Sequence, residues 1–349
     1  MLMQRRYWQQ ELDSALQTIK AGKNQIVVAP DKYGKSSFLL DIANSLKKPN
    51  MPIIFSAECT GLESYIRTNL ISLLQAYKDV FIEYEKILSA SILDIDSKLS
   101  ELKISDGLRR DIKILLFHKQ DKTISIDDVV NVFISLPSKI ATETNTVPVI
   151  LVDDADRLAG MKSQHASMSA LFEYAGQSGE CVFVFASHYK VADIDSVNIP
   201  LMPISYAREY ISSNNVEIKE AALNAIYNFS GGVPFYINYI ARLAKLSSAA
   251  TAEAINLLAK DAIKNELHTY YSERLRQLSP KELPIIVCMA EHDVNTPSRI
   301  SRIIDYSQTN VRRFLSIMEE KGFLTLKSRG MFEINDPVFR KWLEVQVAR

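Results

Sequence analysis

The stretch APDKYGKSS, Ala29 to Ser37, decides the fold of this chain. It follows the apolar run Ile26 to Val28 and precedes an apolar-periodic segment, Ser37 to Leu46, so it reads as a turn joining a buried strand to a helix. It fits the phosphate-loop pattern GxxxxGK[ST], with Ala29 in place of the first glycine. The residue types follow from the chemistry. Ala29, Pro30, Asp31, Lys32, Tyr33, Gly34, Lys35, Ser36 and Ser37 form the candidate nucleotide-binding segment, whose backbone N–H groups wrap a β-phosphate. Gly34 permits the close approach, Lys35 neutralises the β- and γ-phosphates, and Ser36 ligates Mg²⁺. ATP and Mg²⁺ are the expected cofactors.

Mg²⁺ at such a loop calls for an acid at the end of a neighbouring strand. The run VILVDD, Val149 to Asp154, supplies one where ligands of open α/β sheets collect, at the carboxyl end of a buried strand. Asp153 is the metal candidate, and Asp154 would polarise the attacking water, making Lys35 and Asp154 the candidate catalytic residues. An aspartate is one methylene shorter than the glutamate common at that place, so slow hydrolysis is expected. The next apolar run ends in FASH, where Ser187 and His188 are candidates to sense the γ-phosphate; capping the following turn is the alternative role for each.

Outward from the loop, β-branched runs at Ile26 to Val28, Ile53 to Phe55, Val149 to Val152 and Val182 to Phe185 alternate with helical stretches, and Ile199 to Met202 is a fifth candidate strand. That alternation implies a mainly parallel sheet covered on both faces. Residues 61–146 read as a helical insertion, with helical spacing in Leu62 to Phe81 and Ile82 to Leu102, and a capping box of Ser125 and Asp128 opening another helix before Pro137. After Pro203 short helices follow at Tyr206 to Ser212, Lys219 to Asn228 and Pro234 to Lys245, broken by Gly231 and Gly232. From Leu278 a helix start at Ser279, Pro280 and Glu282 leads into helices at Glu282 to Glu291, Ser298 to Ile304 and Thr309 to Lys321. Two short strands, Phe323 to Leu326 and Met331 to Ile334, close the unit. Three helices and a hairpin in that order suggest a winged helix-turn-helix. The expected fold is therefore α/β, a P-loop NTPase parallel-sheet core (1–202, with the insertion at 61–146), a helical lid (203–277) and a winged-helix domain (278–349).

Bulk composition narrows the partners. With 47% hydrophobic and 23% charged residues the chain is globular rather than disordered. Its 41 basic and 41 acidic residues exert no global pull on nucleic acid or membrane, so such a partner needs a local patch. Cys59, Cys181 and Cys288 lack metal-ligand spacing and lie in or beside apolar runs, the pattern of buried thiols in a reducing compartment. Neither a signal-peptide core nor an apolar run of about 18 residues is present, which points to a cytoplasmic protein with no membrane partner.

Four segments taken together, APDKYGKSSFL, VILVDDADRL, SGGVPFYINYI (Ser230 to Ile240) and NDPVFRKWL (Asn335 to Leu343), resemble the archaeal-type ATPases of the STAND and AAA+ group, in that family's order from about Arg5 to Leu343. The GGxP motif with a terminal DPxFRxW is more specific than the loop. The resemblance implies that Gly231, Gly232 and Pro234 pack near the adenine and ribose; a helix C-cap followed by a proline start explains the same residues and is compatible with it. Ala29 and Asp154 are departures, although the Asp-Asp form also occurs in STAND proteins. The segment Arg6 to Leu12 resembles the one that precedes the loop in relatives and is a candidate contact to the base, with packing as the other role for Tyr7 and Trp8.

The resemblance further implies a switch in which nucleotide held by core and lid changes their angle, and homo-oligomers using an arginine in trans, for which Arg157, Arg208 and Arg242 are candidates. Thr309, Asn310, Arg312 and Arg313 on the presumed recognition helix, with Lys327 and Arg329 in the wing, are candidate DNA contacts. Residues 271–349 hold 13 Lys and Arg against 10 Asp and Glu, a small excess for a DNA binder. Two functions stand: an ATP-driven switch or remodelling ATPase acting with DNA, and a slow ATP-binding signalling or scaffold protein whose winged helix and insertion hold protein partners.

Overall fold

A computed structural model describes residues 7–347 apart from 60, 122, 164–165, 214–218, 248 and 250. The chain divides into two compact units: one holds Gln10–Val28 and Lys35–Asn198, the other Met1–Gln9, Ala29–Gly34 and Ile199–Arg349.

The first unit is built on a five-stranded sheet of β1 (Gln25–Val28), β2 (Asn50–Ser56), β3 (Val147–Asp153), β4 (Val182–Ser187) and β5 (Ser196–Asn198), in the order β2-β3-β4-β1-β5. Every neighbouring pair is parallel, with Ile53 opposite Ile150, Leu151 opposite Val184 and Val27 opposite Ala186. β4 is buried at every position and β3 at all but its ends, as near-continuous Val, Ile, Leu and Phe runs require when helices cover both faces. The first four expected strands are all present. The fifth lies elsewhere: Ser196–Asn198 pairs with β1, whereas Ile199 to Met202 forms no strand. An edge strand needs no apolar run, and this one exposes two of its three residues. The buried Ile199 and Met202 that suggested a strand belong to the core of the other unit.

Helix α1 (Gln9–Lys20) buries Leu12, Ala15 and Ile19, one helical stripe. Helix α2 (Lys35–Ser45) begins one residue after Gly34 and buries Phe38, Leu39 and Ile42. The insertion comprises α3 (Leu62–Ala76), α4 (Tyr84–Leu88), α5 (Ile95–Ser100), α6 (Asp106–Phe117) and α7 (Ile126–Thr144). The two long helical stretches expected there are shorter, since α3 stops at Ala76 and residues 82–102 split into α4 and α5. The Ser125–Asp128 capping box is formed: the Asp128 amide donates to Ser125 Oγ at 3.1 Å and the Ser125 amide to Asp128 Oδ2 at 3.3 Å. Pro137 does not end α7 but lies buried inside it. It costs that helix about 3 kcal/mol. Burial of Phe133, Ile134, Leu136, Ile140 and Ala141 at about 25 cal/mol per Å² outweighs the loss. The insertion shares the core of the sheet: Phe55 of β2 stacks on Phe133 of α7 at 5.5 Å between ring centroids, and Tyr65 of α3 meets Phe55 edge-on at 6.5 Å. Helix α8 (Ala170–Gln177) completes this unit.

The second unit contains α9 (Ile204–Ser213), α10 (Glu220–Ser230), α11 (Pro234–Ser247), α12 (Ala252–Lys264), α13 (Glu266–Leu275), α14 (Leu283–His292), α15 (Pro297–Ile300) and α16 (Gln308–Glu320). An antiparallel hairpin of β6 (Leu324–Ser328) and β7 (Met331–Ile334) and a last helix, α17 (Pro337–Val347), close the chain. Helices α12 and α13 occupy a region where no element was expected. Gly231 ends α10 in the left-handed region at φ 59°, and a Cβ there would come within 2.8 Å of Pro337 Cγ, so the GG and DP motifs are packed together. Asp336 opens α17: its Oδ1 accepts from the amides of Val338 and Phe339, both at 2.9 Å, with Pro337 at the first helical position.

Candidate phosphate-loop site

Within the sheet unit the candidate groups stand at the carboxyl ends of adjacent strands and at the start of α2. Lys35 opens that helix with its side chain 6% exposed, and its Nζ lies 3.3 Å from His188 Nδ1, one residue beyond β4. Ser36 is in the first turn of α2. Asp153 ends β3, and its Oδ1 accepts the Asp154 amide at 3.1 Å. Asp154 itself is left-handed, φ 50°, a region that aspartate tolerates better than most residues. Burial, reinforced by the Asp153 charge, raises the Asp154 carboxyl above the ordinary carboxylate range, with Arg157 and Lys35 opposing the shift.

The two sensor candidates separate. His188 faces Lys35 and approaches Asp156 Oδ1 with its Nδ1 at 3.6 Å, whereas Ser187 is fully buried and accepts the Tyr189 amide at 3.3 Å, capping its own turn. Asp156 was not singled out from the sequence; the acid-rich run DDADRL was the signal, but only the fold brings its third aspartate to His188. Among the arginine candidates, Arg157 Nε lies 3.7 Å from Asp154 Oδ2, Arg208 pairs with Glu220 at 2.5 Å, and Arg242 is exposed.

The loop segment Ala29–Gly34 groups with the other unit. Gly34 has φ 95° and a Cβ there would stand 3.0 Å from the ring of Trp8, so both conformation and contact require glycine. Trp8 and Tyr7 are buried packing residues with their rings 4.7 Å apart; Arg6 lies outside the described residues. The Lys32 side chain turns into a group of aromatic rings around Asp336. Gly232, φ 81°, accepts the Met202 amide at 2.9 Å and Pro234 is buried at the start of α11. Thr309, Asn310, Arg312, Arg313, Lys327 and Arg329 are all exposed on α16 and the hairpin. Cys181 and Cys288 are buried, burial pushing the Cys181 thiol up to about 11, while Cys59 is half-buried. Among the described residues no helix is long and apolar enough to cross a membrane.

A parallel sheet with a glycine-containing turn running from β1 into α2, and paired aspartates at the end of β3, defines a P-loop NTPase fold. The chain is similar to a Walker-type ATPase of Pyrococcus abyssi, at a TM-score of 0.65 and 14% identity over 96% of this chain and 95% of that one. It is likewise similar to the ORC2 protein of Aeropyrum pernix, solved with ADPNP and ADP, at a TM-score of 0.52 and 11% identity over 99% and 96%. At these identities the likeness carries the fold alone. No protein-family model matches the sequence, and no curated protein matches it.

Proposed function

We infer that this chain binds ATP with Mg²⁺ through residues 29–37 and hydrolyses it to ADP, as a switch of the AAA+/STAND type in which 203–277 is the lid and 278–349 a winged helix that engages DNA. The observation that carries the reading is the convergence of the Lys35 ammonium, at the start of α2, with the Asp153–Asp154 pair and His188 at the carboxyl ends of the adjacent strands β3 and β4. The donor set suits Mg²⁺: the Ser36 hydroxyl and the Asp153 carboxylate are the hard oxygen donors that this ion prefers. Bound Mg²⁺ supplies positive charge to the phosphate oxygens.

The chain's own residues do the rest. Lys35 neutralises the transferring phosphoryl group, and Asp154, its carboxyl shifted up by burial, orients the attacking water and accepts its proton. His188 reports on the phosphates through its contact with Lys35. The exposed row of Thr309, Asn310, Arg312 and Arg313 supports DNA as partner. A protein partner is favoured by one feature of the wing, where Lys327 is already paired with Glu333 at 3.1 Å. Titration of Lys35→Ala with ATP tests the first part: binding should be lost with the fold intact, and unchanged affinity would show that the site is elsewhere. An ATPase assay with and without duplex DNA tests the second; stimulation supports the DNA switch, and slow turnover indifferent to DNA supports the protein-binding scaffold.

A further inference from the structure

Asp31, Lys32 and Tyr33, three successive residues of the loop, each direct a side chain to residues of their own unit, the one that also holds the GGVPFY and DPVFRKW motifs. Asp31 Oδ2 accepts from Arg274 at 3.1 Å, and Arg274 is fixed in turn by the Gly322 carbonyl at 2.8 Å. The Tyr33 hydroxyl donates to the Asn335 carbonyl at 3.1 Å. Lys32 is engaged most completely. Its ammonium sits 3.6 Å from the ring centroid of Tyr270, 4.8 Å from that of Tyr236 and 5.1 Å from those of Phe235 and Tyr271. It donates to the Tyr236 hydroxyl at 2.8 Å and lies 4.0 Å from Asp336 Oδ2.

Asp336 is shared between two tasks. While its Oδ1 caps α17, its Oδ2 accepts from the hydroxyls of Tyr236 and Tyr271, the latter at 3.2 Å. The charge of a buried carboxylate is thereby offered to a lysine some 300 residues away in sequence.

The backbone gives this its meaning. Lys32 has φ 68° and Gly34 φ 95°, and left-handed residues interspersed in a turn are the geometry by which successive N–H groups form an anion-binding nest. Glycine would adopt φ 68° without steric cost; lysine is disfavoured there and is held by what its side chain meets. That side chain is 13% exposed and occupied inside the unit, so Lys32 serves the loop through its backbone while Lys35 carries the phosphate-directed charge.

We propose that Asp336, with Tyr236, Tyr270 and Tyr271, is a positioning device that acts through Lys32 to hold the phosphate loop in its anion-binding conformation, so that the C-terminal motifs set nucleotide affinity. It rests on the reading of 29–37 as a nucleotide loop. The test uses the full chain and two substitutions. Lys32→Met keeps the apolar stem and removes the charge, and Asp336→Asn keeps the helix cap, because asparagine caps as well as aspartate. Hydrogen exchange of the peptide covering 29–37 is measured without nucleotide, and affinity with a fluorescent ATP analogue.

Each single variant should exchange faster in the loop and bind about tenfold more weakly, the loss expected when a left-handed lysine is no longer held. The double variant should be no worse than Lys32→Met, since Asp336 acts through that lysine; additive losses in exchange and affinity would mean a separate structural role for Asp336 and overturn the proposal. Unchanged loop exchange in Lys32→Met, or faster exchange with undiminished affinity, also overturns it. If the wild-type chain binds no nucleotide, the functional reading fails, and exchange alone still decides whether the cage holds the loop: faster in Lys32→Met supports the hold, equal rates overturn it.

Discussion

The Lys35 ammonium lies 3.3 Å from Nδ1 of His188, and the same ring nitrogen is 3.6 Å from the Asp156 carboxylate. A buried cation thus faces an imidazole that also lies beside an acid from the turn after β3. Replacing His188 with alanine removes the only one of the two sensor candidates that meets Lys35, while Ser187 stays committed to its turn. We expect His188→Ala to retain ATP binding and to lose about 100-fold in turnover, the scale of a single preorganised polar group. Single-turnover hydrolysis at wild-type rate in that variant removes His188 from the mechanism.

Asp154→Asn should bind ATP and lose about 100-fold in turnover, the scale of a missing general base. Its stability should move the other way. The Asp154 carboxyl is raised by burial and by Asp153, so the native state holds its proton more tightly than the unfolded chain and the ionised form is the unfavourable one above that raised value. Neutral asparagine, also tolerant of φ 50°, should therefore melt slightly higher than wild type at pH 7, with the gain vanishing below the ordinary aspartate range near pH 3.8. A lower melting temperature at pH 7 would contradict the assignment.

Lys32 gives a second pH signature, at the alkaline end. Burial lowers its ammonium from 10.5 to about 8, with Asp336 and Asp31 opposing and Arg274 assisting; the facing Tyr236, Tyr270 and Tyr271 are all shifted upward by burial and stay neutral in this range. Between those values the unfolded chain binds the proton and the folded chain does not, so this group's contribution to stability grows as pH rises from 8 to 10.5. The melting difference between wild type and Lys32→Met should accordingly shift in favour of wild type from pH 7.5 to pH 9.5. A difference flat across that interval would mean that the amine is not desolvated as described.

Much of the architecture was legible because it is local. The runs around Ile53, Ile150 and Val184 are dense in β-branched residues, and glycine and lysine at 34 and 35 between a strand and a helix leave few readings. The failures have physical causes. Ser196–Asn198 is a polar edge strand with no apolar signature, and Pro137 is overridden by the buried stripe on either side of it. The cage around Lys32 was invisible for a different reason. Tyr236 and Asp336 stand in motifs that local packing or capping explains, and nothing in the one-dimensional pattern tells a lysine in this loop which way to turn. Asp156 is an intermediate case, a flagged run whose relevant member depends on the path of the turn after β3.

The last expectation concerns α16. Its inner face, Val311, Phe314, Leu315 and Met318, is buried, and Ser307 caps its start by accepting the Asn310 amide at 3.3 Å, so the helix is anchored independently of its outer residues. Arg312 and Arg313 are exposed, and the Arg313 guanidinium rests 4.8 Å from the Phe314 ring centroid. Alanine at both positions costs no helix propensity and leaves the buried stripe intact, so the double variant should stay folded, with at most a small loss from the Arg313–Phe314 contact. If these arginines meet a DNA backbone, the variant should bind duplex DNA more weakly across sequences, and its affinity should fall less steeply with salt, by about one to two units of logarithmic slope. Titration of wild type and variant at two salt concentrations with ATP present measures both. A wild-type protein without salt-dependent DNA affinity, or a well-folded double variant with an unchanged slope, would defeat the DNA contact and leave this face of α16 to a protein partner.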